Sequence, residues 1–160
     1  MATAQDAEII LKLYELRRET EMRKAREYIT NEFWPESFDG LWKEIGMTGD
    51  KYRWFRQVYA YWEMAAALAV FGAVDEDLFV ATQVEMIYTF AKISPYLKNF
   101  RETNADFLIS ITKLCERNAT ARQRLVHAEK QIPLFRAKVA ELKASGEIAA
   151  SRAASDTTAI

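Results

Sequence analysis

The sequence predicts an all-α fold, a single-domain helical bundle of about five to six helices with a long first helix. Three observations predict it. The stretch from Tyr59 to Arg101 reads as two buried helices joined at Gly72 to Asp75, followed by a third element started by Ser94-Pro95. One heptad-like register runs from Phe107 to Leu142. No segment shows the two-residue alternation of a strand, and no internal repeat is present. A chain of 160 residues is long enough for one real core, since a domain near this size buries on the order of 70% of its unfolded surface. With 50% apolar and 28% charged residues it has a globular and not a disordered composition.

Residues 5 to 32 read as one long helix, because Ile9, Ile10, Leu13, Leu16, Tyr28 and Ile29 recur at helical spacing with no glycine or proline before Pro35. Its middle, Arg17 to Glu27, is almost wholly charged. Opposite signs stand four apart there, as in Glu19 with Arg23, so that part is expected to project into solvent. Phe33-Trp34-Pro35 ends the helix. A short helix follows over Phe38 to Ile45, ended by Gly46, and Gly49-Asp50 supplies a turn and a cap.

From Lys51 to Phe71, the residues Tyr52, Phe55, Tyr59, Trp62, Ala66 and Val70 share a stripe and the other faces become apolar after Tyr61, which makes this the central helix. Asp75 caps the next helix, about Glu76 to Ala91, whose acidic first turn suits the helix dipole. Gln83 and Glu85 are its polar exceptions. Ser94-Pro95 reads as a helix start, with serine as the cap and proline at the first helical position. Beyond Phe107, Pro133 is expected to kink the register or divide it into two helices. Residues 1 to 144 form the folded domain, and residues 145 to 160, SGEIAASRAASDTTAI, form a disordered tail because they have almost nothing to bury.

Composition excludes several classes of function. The 22 basic and 23 acidic side chains nearly cancel, so no global field would attract nucleic acid. The longest apolar run, Met64 to Val74, is far below the roughly 20 residues that span a bilayer, and MATAQDAEII lacks the pattern of a secretory signal. The single cysteine, Cys115, suits a reducing compartment, and a cytoplasmic location is expected.

The chemistry-bearing residues are few. His127 is the only histidine, no Glu-x-x-His pair exists, and the five glycines make no phosphate-binding loop. No catalytic residue, metal ligand or cofactor site is expected, and the chain reads as a non-enzyme. Glu63, between Trp62 and Met64, is the exception among the acids, since a carboxylate there needs a partner. Arg101 and Arg56 are the candidate cations for a buried ion pair or a polar ligand contact.

Trp62-Glu63, the alanine-rich run, Gly72-Ala73-Val74-Asp75, an aromatic helix, Pro95 and Arg101 together resemble a bacterial family of short helical proteins, a domain of unknown function, over about residues 55 to 115. The resemblance implies a helical fold and no activity. Two functions fit these observations. The first is a non-catalytic protein-interaction or oligomerisation module that holds a protein partner or dimerises through its surplus helix surface. The second is a bundle that binds a small molecule or lipid in an aromatic pocket, with Trp54, Tyr59 and Trp62 as candidate lining.

Overall fold

A computed structural model describes residues 1–146. Among them the chain is all-α, with α1 Ala4–Arg17, α2 Thr20–Asn31, α3 Phe38–Ile45, α4 Asp50–Val70, α5 Glu76–Thr82, α6 Val84–Ala91, α7 Leu97–Arg101, α8 Ile109–Arg117 and α9 Ala119–Ala144. A single 3₁₀ turn, Ser94–Tyr96, leads into α7. The 26-residue α9 therefore runs on through Ala144, and the tail expected over 145 to 160 lies, from residue 147 onward, outside the described residues.

The expected central helix is central. Between α2 and α8, α4 buries Phe55, Val58, Tyr59, Trp62, Ala65, Ala66 and Ala69, while α6 and α8 pack on α9. Alanines on the last turns of α4 keep its side chains short where α8 crosses, which lets the two backbones approach. At the other end, Phe33, Phe38, Phe55, Phe100 and Phe107 form an aromatic cluster. Its rings meet edge-on, as Phe38 does Phe100 at 5.1 Å, or stacked, as Phe100 does Phe107 at 4.3 Å. Cys115 lies in the same continuous core, and burial pushes its thiol up to about 12, so it is a packing residue.

Among the described residues nine helices replace the expected five to six, because the chain breaks where the apolar period continues. The long first helix is two helices. Glu19 adopts an extended ψ of 143° and its carboxylate accepts the backbone N–H of Met22 at 2.9 Å, so it caps α2 where pairing with Arg23 was expected. The charged segment is also less exposed than its composition suggests: Arg17, Met22 and Ala25 are buried. The helix expected over Glu76 to Ala91 stops at Gln83, whose ψ of 47° ends α5 and starts α6.

Ser94 is not a cap. Its hydroxyl donates to the Ala91 carbonyl and to Glu129 on α9, while Ile93 occupies the cap position of the 3₁₀ turn. Similarly, the heptad register breaks at Asn118 and not at Pro133. Asn118 is extended, its side-chain oxygen accepts Ala121 N–H at 3.0 Å to start α9, and its amide donates to Glu76 and Asp77 on α5. Pro133 sits inside α9 on an exposed face, where the loss of one backbone bond does not end a helix anchored on both sides. Asp75 does cap α5, taking Leu78 N–H at 2.9 Å, and Gly72 supplies the left-handed residue after α4 with φ of 77°.

Candidate functional site

Two clusters of polar side chains are built into this core. The first contains Glu63 and Arg101. Leu108 has φ of 51°, a left-handed conformation that costs a non-glycine residue on the order of 1–2 kcal/mol, and it begins α8 without a side-chain cap. Glu63, from α4, supplies that cap from 47 residues away: its carboxylate accepts the N–H groups of Ser110 at 2.7 Å and Ile111 at 3.2 Å. Arg101 braces the preceding turn, donating to the carbonyl of Phe107 at 3.1 Å and to the Thr112 hydroxyl at 2.8 Å.

The two residues therefore meet on one turn, through its backbone. Among the described residues no ion pair joins Glu63 to Arg101 or to Arg56; Arg56 is exposed, with its guanidinium 5.8 Å from the Tyr52 ring. A carboxylate flanked by Trp62 and Met64 needs a partner, and sequence reasoning finds that much. The partner is a helix N-terminus, which carries no sequence signature of its own.

The second cluster lies around α6. Glu85 accepts Arg26 in a two-point contact, Nε to Oε1 at 2.7 Å and Nη2 to Oε2 at 2.6 Å, and accepts Arg17 Nη1 at 3.2 Å. Arg17 is buried, its guanidinium lies 5.2 Å from the Trp62 ring, and its Nε has no hydrogen-bond partner. Its hydrogen bonds to Glu85 hold the Arg26 guanidinium above its ordinary range. Beside this cluster Tyr61 donates to the Leu13 carbonyl at 2.7 Å, and burial pushes its phenol up to about 12.

Two turns further along α6, the Lys92 ammonium donates to the carbonyls of Ile29 at 2.5 Å, Thr30 at 3.0 Å and Phe33 at 3.1 Å. The face of Trp34 lies 3.5 Å from the same nitrogen. Three N–H donors thus meet three carbonyls at the C-terminal end of α2, where the helix dipole favours a cation. Burial lowers Lys92 to about 7 from an ordinary 10.5.

Beside Lys92 opens a slot of ≈ 270 Å³, with α2, α6 and α9 as its walls. Ile29, Tyr88, Ile132 and Phe135 give it an apolar lining, Trp34 and Lys92 stand at one end, and Glu85 stands about 10 Å along α6 at the other. Phe135 is 46% exposed and forms part of the mouth. At Tyr88 the slot meets a shallower cleft of ≈ 460 Å³ that includes Val84, Arg124 and His127.

The expected aromatic lining lies elsewhere. Tyr59 and Trp62 are buried core residues, with the Tyr59 hydroxyl donating to the Thr89 carbonyl at 3.0 Å. Trp54 packs on Tyr28 at 5.6 Å, and none of the three lines the slot. Sequence reasoning did mark Glu85 as a polar exception on an apolar helix. Arg17 and Arg26 carried no such mark, because they sit in a run of charges.

A family model described as a domain of unknown function, DUF4760, matches residues 2–118, nearly three quarters of the chain. The chain belongs to that family. The matched segment is wider than the resemblance legible from residues 55 to 115, and it covers α1 through α8. It ends at the residue that starts α9, so two walls of the slot come from the family segment and the third lies beyond it. No curated protein and no solved structure matches the chain. No helix among the described residues is long and apolar enough to cross a membrane.

Proposed function

We propose that the chain is a non-catalytic binding module whose site is the slot between α2, α6 and α9, and that its ligand carries an apolar stem. The slot itself supports this reading: ≈ 270 Å³ of mainly apolar space with a few convergent polar groups at its ends. Well-packed cores leave few voids larger than a water molecule, and this one is held open by a tryptophan fixed on an ammonium and by a helix entering from outside the family segment. An uncharged apolar fluorophore, 1-N-phenylnaphthylamine, is expected to bind one per chain and to be displaced by decanol. The Phe135→Glu variant is expected to weaken both at least tenfold while its helical circular dichroism stays unchanged. Absence of saturable binding to the wild-type chain would overturn the reading.

A second reading, self-association through α9, rests on a different observation. Leu134 and Phe135 are adjacent on α9 and 63% and 46% exposed, an apolar surplus of the kind that a second copy covers. Light scattering over a hundredfold dilution is expected to give a dimer that Leu134→Glu converts to a folded monomer. A wild-type monomer at every concentration would leave the slot as the module's only supported contact.

A further inference from the structure

The polar groups that line the slot fix the kind of head group it can take. Lys92 and Glu85 are its charged lining residues, and both charges are already answered. The three N–H donors of the Lys92 ammonium meet three carbonyls. Glu85 meets Arg17 and Arg26, neither of which lines the slot. An anionic head would therefore face a carboxylate with no free lysine donor beside it. A cationic head would face a carboxylate whose charge two arginines already offset, with the Lys92 ammonium in the same space. Moving either charge from water to mainly apolar walls costs more than such partners return.

Hydrogen-bonding capacity remains where charge does not. A carboxylate offers about four acceptor sites. Glu85 fills three: Oε2 accepts Arg17 Nη1 and Arg26 Nη2, and Oε1 accepts Arg26 Nε. Thr89 lies one helical turn further along α6, on the same face as Glu85, and it lines the slot. It is 5% exposed, and its carbonyl accepts the Tyr59 hydroxyl. A helical threonine can give its own hydroxyl to the carbonyl four residues back, as Thr82 does to Leu78 and Thr112 does to Leu108. Among the described residues the Thr89 hydroxyl has no such partner, which leaves a donor and acceptor beside the open site on Glu85.

We infer that the slot takes an uncharged hydrogen-bond donor on an apolar stem, a primary alcohol in its simplest form, with the head between Glu85 and Thr89 and the stem along Tyr88, Ile132 and Phe135. The ligand O–H donates to Glu85 Oε1, and the ligand oxygen accepts the Thr89 hydroxyl. This inference rests on the binding reading above and adds the head group to it.

The test compares 1-octanol, its isomer heptyl methyl ether, octanoate and octylammonium, by titration calorimetry and by amide shifts at Thr89 and Phe135. Octanol is expected to bind about tenfold tighter than the ether, which has the same atoms and no donor, and about tenfold tighter than either ion. Thr89→Val keeps the size of the side chain and breaks no hydrogen bond of the fold. It is expected to bring octanol to within about twofold of the ether and to leave the ether unchanged. Equal affinity for octanol and ether, an ion that binds tightest, or an octanol preference that survives Thr89→Val would each overturn the head assignment and leave the slot reading standing. Failure of all four probes with 1-N-phenylnaphthylamine still bound would do the same, and failure of the fluorophore as well would overturn both.

Discussion

Glu85→Gln is expected to lower the stability of the fold by about 3 kcal/mol, with a fall in melting temperature of roughly 6–12 °C. Glutamine keeps the shape of the side chain and one carbonyl acceptor, but it removes the only carboxylate that faces two guanidinium groups. Arg26 is about a quarter exposed and can turn toward water. Arg17 cannot, being 8% exposed and packed on Trp62. The cost of leaving a buried charge unpaired runs to about 3 to 5 kcal/mol, and the partial exposure of Glu85 and Arg26 places this case at the lower end. Replacing Arg17 by methionine in the same background removes the stranded charge, so Arg17→Met with Glu85→Gln is expected to recover part of the loss. Urea unfolding of Glu85→Gln, Arg17→Met and the double variant measures this non-additivity directly. A Glu85→Gln variant within about 0.5 kcal/mol of wild type would mean that Arg17 finds water or another partner once the carboxylate is gone.

Lys92 sets the second large effect, and it is an effect of pH. Burial puts its folded value at about 7, below the ordinary 10.5 that an unfolded chain would show. Between those values the unfolded state binds the extra proton, so stability rises with pH through this window; below about 7 both states are protonated and the full cost of burying the ammonium is present. From pH 7 to 9.5 the rise assigned to this residue is about 3 kcal/mol. Tyr28, Tyr59 and Tyr61 titrate above that range, since burial raises all three. Lys92→Met deletes the titration and also leaves the carbonyls of Ile29, Thr30 and Phe33 without their donor. The variant's absolute stability therefore combines a gain and a loss, but the difference between its pH profile and that of the wild type isolates the lysine. Parallel profiles over pH 6.5 to 9.5 would show that the three carbonyls and the Trp34 face hold the proton against the cost of burial.

Local physical chemistry accounts for what was legible in advance. The apolar stripe of the central helix, the acidic cap at Asp75 and the terminator at Gly72 are each written within a few neighbouring residues, and each stands where the stripe, the cap or the left-handed glycine required. The three misplaced boundaries share a cause. Glu19, Gln83 and Asn118 are each compatible with a helix interior by propensity, and each becomes a boundary through its backbone conformation there. For Asn118 the anchors are Glu76 and Asp77, 42 and 41 residues away, which no local window contains.

The same distinction governs the polar sites. That Glu63 needed a partner followed from its flanks, and that Glu85 was out of place followed from the helix around it. Which groups answer them could not follow, because Glu63 meets a helix N-terminus 47 residues on and Glu85 meets arginines 59 and 68 residues away. The sequence by itself determined the all-α class, the central helix and the absence of a recognisable catalytic motif, since periodicity and residue types decide these. Only the tertiary structure decided where the charges are buried and that a slot lies beside them, because burial and pairing belong to the packing of distant helices and not to any one of them.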